Sequence, residues 1–96
     1  MIIVREVFIA KPGSASKLAK LMKEVMTDWG VAKVRVMTDM TGVFNKVVVE
    51  TEMDNLTDFD KRMKEYSNRP KDKTSEKMAG YTDMYHSGKR EIYQVW

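Results

Sequence analysis

Cysteine is absent from this 96-residue chain, and histidine occurs once. The first absence excludes disulfides, thiolate nucleophiles and sulfur-ligated metals. The second excludes a multi-histidine metal centre within one copy, and the context of that one histidine offers no nucleophilic triad. No apolar run approaches the roughly 18–20 residues of a membrane span. Arg5 and Glu6 interrupt the one apolar N-terminal stretch, Met1 to Ala10. No signal peptide is therefore expected, and the expected location is cytoplasmic. Gly13 and Gly42 stand isolated, so no glycine-rich phosphate loop is present.

What remains is the composition of a globular chain, 43% apolar and 32% charged. Its size suits a single domain, 1–96. The net charge of +3 is concentrated in one segment. Lys61, Arg62, Lys64, Arg69, Lys71, Lys73 and Lys77 outnumber Glu65, Asp72 and Glu76 there. Only Tyr66 and Tyr81 accompany this run, which is little aromatic support for base stacking. It reads as a solvated helix face and linker, and nucleic acid is not an expected partner.

Patterning divides the chain into six main elements. Ile2 to Ala10 reads as a strand closed by Lys11-Pro12-Gly13. Ser14 or Ser16 then caps a helix. Leu18, Leu21, Met22, Val25, Met26 and Trp29 form its apolar face, and Gly30 stops it. Ala32 to Met40 and Val43 to Met53 alternate as two strands of an antiparallel hairpin around Thr41-Gly42. In the second strand Val43, Asn45, Val47, Val49 and Thr51 share one face. Asn55, three residues before Asp58, caps a second helix with Leu56, Phe59, Met63 and Tyr66 inward. The sequon Asn55-Leu56-Thr57 is read as that cap rather than a glycosylation site. Pro70 breaks the helix. A short helix is predicted from about Ser75 to Met84, a turn at Ser87-Gly88, and a last strand from Lys89 to Trp96.

The order strand–helix–strand–strand–helix–strand has a single-sheet solution with right-handed crossovers. It is the α+β, ferredoxin-like split βαβ (βαββαβ) fold, a four-stranded antiparallel sheet with both helices on one face. Its other face holds apolar residues too. Ile3, Val7 and Ile9 oppose Ile2, Val4 and Phe8, and Tyr93 and Val95 oppose Ile92 and Trp96. Leaving such side chains wet forfeits roughly 1.5–3 kcal/mol each. A homodimer with two sheets face to face, or a higher assembly, is the expected answer, with Trp96 near the contact.

The opening Met1-Ile2-Ile3-Val4-Arg5-Glu6-Val7-Phe8-Ile9-Ala10-Lys11-Pro12-Gly13, followed by an amphipathic helix, resembles the start of the dimeric α+β barrel superfamily. Strand, Lys-Pro-Gly and helix recur in its small antibiotic-biosynthesis-monooxygenase-like and NIPSNAP-like members. The segment Gly88-Lys89-Arg90-Glu91-Ile92-Tyr93 is similar to the NIPSNAP-like last strand. The resemblance implies a homodimer with a barrel of two sheets, and a ligand cleft between each sheet and its own helices. It transfers no catalytic set. NIPSNAP-like chains carry an arginine where this chain has Glu6, with the aromatic matched by Phe8. Haem-degrading relatives carry an asparagine around Glu6 and a tryptophan on the second helix, where this chain offers Phe59, Met63 and Tyr66. Haem degradation is accordingly not expected, and no cofactor is implied.

Candidate site residues follow from polar groups on apolar faces. Glu6 shares a strand face with Ile2, Val4, Phe8 and Ala10. Against the helices it would be a desolvated carboxylate, suited to acid–base work. The alternative is an ion pair with a basic side chain such as Arg35, Arg90 or another subunit's Arg5. Asn45 is a candidate to orient a substrate carbonyl, or else a hairpin hydrogen-bonder. His86 is the one side chain that ordinarily titrates near neutrality. Met22, Met26, Met63 and Met78 are core fillers or, with Phe8, Tyr66 and Tyr81, the wall of a pocket for a flat hydrophobic ligand. Two functions stand open. One is a cofactor-independent enzyme, monooxygenase- or isomerase-like, acting on a small hydrophobic or aromatic molecule. The other is a non-catalytic ligand-binding or assembly domain.

Overall fold

The computed structural model describes residues 1–68 and 76–96. Strand β1 covers Ile2–Ala10 and ends where Pro12 and Gly13, the latter at φ +83°, turn the chain. Helix α1 covers Ala15–Asp28. The expected serine cap is not made: no Ser14 side-chain bond forms, and its carbonyl instead accepts from Leu18 N–H at 2.9 Å. The far end is as expected. Gly30 adopts φ +67°, and the Gly30 and Val31 amides donate back to the Thr27 and Met26 carbonyls. This double return satisfies orphan carbonyls and needs a left-handed residue. Strand β2 (Val34–Thr38), strand β3 (Lys46–Met53), helix α2 (Leu56–Ser67) and strand β4 (Tyr85–Gln94) follow. The Asn55 side chain accepts from Asp58 N–H at 2.9 Å and caps α2 as expected.

The strands form one antiparallel sheet in the order β2-β3-β1-β4, as the ferredoxin-like reading requires. Register decides the faces, since opposed residues point the same way. Ile2, Val4, Glu6, Phe8 and Ala10 of β1 share the helix side with Val47, Val49, Thr51 and Met53 of β3. Gly88, Arg90 and Ile92 of β4 lie on that side too. Leu18 and Met22 of α1 close over Ala10, Val47 and Val49. Phe59 of α2 packs on a second cluster of Ile2, Val4 and Met53. The opposite face carries a row of charges across all four strands. Glu50 pairs with Arg35 and lies 3.6 Å from Arg5; Arg5 lies 3.7 Å from Glu91, which meets Lys89 at 3.6 Å. Beside the row, the opposed pair Val7 and Val48 is only 3% and 6% exposed in the single chain.

Several expected boundaries move. Strand β3 starts at Lys46, not Val43, because Asn45 takes φ +66° and Asp39 Oδ1 accepts from Lys46 N–H at 3.0 Å. Val43 and Phe44 are consequently exposed in the β2–β3 connection. Ser87 and Gly88 are not a turn but part of β4, which runs from Tyr85 and stops short of Trp96. Gly88 opposes Phe8, and a Cβ there would come within 3.2 Å of that ring, so glycine serves close packing. The short helix is interrupted at Gly80 (φ +79°), after which Tyr81–Met84 form a 3-10 turn. Leu56 is exposed rather than inward, being the first residue of its helix. Pro70, Ser75 and the Arg69, Lys71 and Lys73 portion of the basic run lie outside the described residues.

Leu18 is completely buried, and Leu18→Ala should destabilise by about 2–5 kcal/mol. Leu56→Ala should change stability by less than about 0.5 kcal/mol. Urea melts of the two variants check this ranking.

Candidate functional site

Helix α1 packs against β2 and β3, and α2 reaches β3, so neither covers the β1–β4 half of the helix face completely. The space left is a cleft of about 490 Å³, within the range typical of small-molecule sites. Its floor is Glu6 and Phe8 of β1, Val49 of β3, and Gly88 and Arg90 of β4. Met22, Met26 and Trp29 form the α1 wall, and Met63 and Tyr66 the α2 wall. Met78, Tyr81 and Tyr85 close the remaining side. Periodicity explains the convergence. Met22, Met26 and Trp29 recur at four and three residues along one helical stripe, as do Met63 and Tyr66 along another.

The aromatic rings of the lining fall into two groups. Trp29 and Tyr66 lie 4.6 Å apart between centroids, and Phe8 and Tyr85 lie 4.9 Å apart. Tyr81 joins the second group at 5.9 Å from Tyr85. Both groups are tilted, the arrangement favoured by ring quadrupoles. Methionine between them supplies a soft, adaptable surface.

One polar feature sits in this apolar floor. Arg90 Nε donates to Glu6 Oε1 at 2.5 Å, a cross-strand pair fixed by register. Arg90 also lies over the Phe59 ring, 5.1 Å from its centroid. The ion-pair alternative for Glu6 is thus the one realised, with Arg90 as partner. Burial raises the pKa of the Tyr81 hydroxyl above its ordinary value. The neighbouring Tyr85, by charge and hydrogen bond, and then the Glu6 charge push it the same way.

Of the residues singled out from sequence, Glu6, Phe8, Met63, Tyr66 and Tyr81 meet in this cleft. Asn45 does not. It sits in the β2–β3 connection, lining a separate, more polar hollow with Ser16, Thr38 and Asp39, while its carbonyl accepts from Ala10 N–H. His86 is exposed on β4 beside the irregularity at Ile9 and Ala10, and it is not part of the cleft lining. The Glu6, Asn45 and His86 constellation is therefore not assembled. Tyr85 and Trp29 were missed as lining residues, and Arg90 was foreseen only as an ion-pair partner for Glu6. On the other face Glu50 meets Arg35 and Arg5. Among the described residues, no three His, Asp or Glu side chains converge as metal ligands. No described helix is long and apolar enough to cross a membrane.

Because folding raises the Tyr81 pKa, the neutral hydroxyl is the form the fold favours. Its contribution is complete below pH of about 10, where a free tyrosine titrates, and is lost as pH rises through the folded value. Absorbance titration near 295 nm should show that Tyr81→Phe removes a phenolate forming only above pH of about 10. Loss of a component with an ordinary or lower midpoint would contradict this placement.

No protein-family model matches the chain, and no curated protein sequence matches it. Solved structures do. An uncharacterized NIPSNAP domain protein from Burkholderia xenovorans superposes with a TM-score of 0.81 at 13% identity, covering 100% of this chain and 95% of that one. A NIPSNAP family protein from Agrobacterium tumefaciens strain C58 gives 0.77 at 13% identity, covering 97% and 90%. A structure described as an antibiotic biosynthesis monooxygenase gives 0.69 at 11% identity, covering 100% and 99%. Sheet order, helix placement and these superpositions agree on the fold: the chain is a ferredoxin-like βαββαβ domain with the architecture of NIPSNAP and antibiotic biosynthesis monooxygenase structures.

Proposed function

We propose that this chain is a single-domain, cytoplasmic, homodimeric binding protein whose sheet–helix cleft takes a small, flat hydrophobic or aromatic molecule. The observation that carries the reading is the cleft itself, a 490 Å³ space lined by two groups of tilted aromatic rings. A flat ligand slides between Trp29–Tyr66 and Phe8–Tyr85–Tyr81, and the methionines adjust to its outline. No cofactor is needed for that task. The Glu6–Arg90 pair holds the floor and leaves the carboxylate engaged, which favours binding over chemistry.

A second reading has its own observation, because Glu6 opens onto the cleft. A ligand that draws Arg90 away would leave Glu6 as an acid–base group beside it. The chain would then be a cofactor-independent enzyme of monooxygenase or isomerase type. Glu6→Gln separates the two: turnover of any identified substrate should vanish with the fold intact if Glu6 does chemistry, whereas the binding reading predicts a change in stability or association and none in chemistry.

Self-association rests on the opposite face. Met37, Tyr93 and Val95 are exposed there, flanking the alternating charges of Arg35, Glu50, Arg5, Glu91 and Lys89. A two-fold axis through such a face lets positive and negative groups of each copy meet their counterparts.

Calorimetry with 2-naphthamide should detect binding to the native chain. Met63→Glu, which puts a charge in the α2 wall, should weaken it at least about tenfold, the effect of roughly 1.4 kcal/mol. Phe44→Ala, in the exposed hairpin, should leave it unchanged. Light scattering over a dilution series should give about 22 kDa, twice the chain mass, while a persistent mass of about 11 kDa would remove the dimer.

A further inference from the structure

The cleft has a back recess with a charge of its own. A hollow of about 40 Å³ adjoins the main cleft, sharing Glu6, Met26, Val49, Met63 and Tyr66 with it. The residue that distinguishes this recess chemically is Arg62 of α2. Its Nη1 is buried and has no hydrogen-bond partner among the described residues. Arg62 stands four residues before Tyr66 on the same side of α2, and both border the recess.

The charges of the two spaces do not cancel. Among the described residues Glu6 is the only carboxylate in either lining, and its Oε1 already accepts from Arg90 at 2.5 Å. Lys89 also borders the cleft, but its Nζ lies 3.6 Å from Glu91, a residue of the opposite sheet face. Glu6 and Arg90 neutralise each other, and the Arg62 guanidinium remains in excess. A guanidinium donor buried without an acceptor is costly, and an anion supplied from outside removes that cost. The recess has room for one small group, since a single water needs only about 10–15 Å³ of such space.

We infer that the ligand is a hydrophobic monocarboxylate, its flat body against the aromatic lining and its carboxylate at the recess beside the Arg62 guanidinium. This deepens the binding reading and rests on it. With Glu6 held by Arg90, the Arg62 charge is matched by a single negative charge.

The test compares two molecules of nearly equal shape, 2-naphthoate and 2-naphthamide, by calorimetry on the full chain. The acid should bind at least about tenfold more tightly than the amide, as expected for a charge-assisted hydrogen bond in a sheltered site. Arg62→Gln should erase that preference while leaving the amide's affinity where it was. Arg62→Lys, which keeps the charge, should retain part of it, so the test does not depend on one variant folding. Lys61→Gln removes the same charge from the exposed neighbour and should leave the preference intact. Equal binding of acid and amide to the native chain overturns the inference and leaves the hydrophobic cleft standing. So does a preference that survives Arg62→Gln, or one lost equally in Lys61→Gln. Failure of both compounds to bind overturns the cleft reading together with the inference.

Discussion

The register of β1 is the constraint on which the rest of the molecule depends. This strand lies between β3 and β4, and every side chain it sends to the helices is matched on both sides. Val4 meets Thr51 and Ile92, Glu6 meets Val49 and Arg90, and Phe8 meets Val47 and Gly88. A slip of one residue would send Arg5, Val7 and Ile9 inward and turn Glu6, Val4 and Phe8 to the other face. It would separate Glu6 from Arg90, place the Phe8 ring against a side chain instead of Gly88, and bury Arg5 away from Glu50 and Glu91. Apolar packing and ion pairing thus select the same alignment, the kind of agreement between levels that specifies one structure.

From that alignment the cleft follows as a consequence of coverage. Two helices of 14 and 12 residues must cover four strands. Helix α1 is anchored by Leu18, Met22 and Val25, all buried, whereas α2 has no fully buried residue. The firm half of the core therefore lies under α1, and the α2 side is built of half-buried Phe59, Met63 and Tyr66. Such thinly buried elements belong to the low-stability end of a fold, where ligand sites are commonly found. Trp29 terminates α1 at the point where its stripe meets Tyr66, and so joins the two helices across the cleft.

Much of this was legible in the residues. The alternation of Ile2–Ala10 and the stripe Leu18–Trp29 gave their elements directly, because one-sided burial imposes period 2 on strands and 3.6 on helices. Topology followed from element order. The site was less legible, for local reasons. Asn45 sat in a pattern that read as strand, but its left-handed backbone belongs to a connection, where asparagine is tolerated. Ser87-Gly88 carried turn chemistry, yet Gly88 serves the Phe8 ring across the strand. Reading the turn there delayed β4, moved His86 toward the site and hid Tyr85. Arg62 looked like one member of a solvated basic run. Only the tertiary packing of α2 separates its buried Nη1 from the exposed lysines beside it.

We propose that a ligand sits in the aromatic and methionine-lined space under the helices. The methionines make a direct test, because they are distributed over every surface in question. Met22, Met26, Met63 and Met78 line the cleft, Met37 lies on the opposite sheet face, and Met40 is in the β2–β3 connection. In a chain labelled with ¹³C at the methionine methyls, titration with 2-naphthoate should shift the four cleft signals and leave Met37 and Met40 in place. Shifts confined to Met37 or Met40, or no shift at any cleft methionine, would contradict the account.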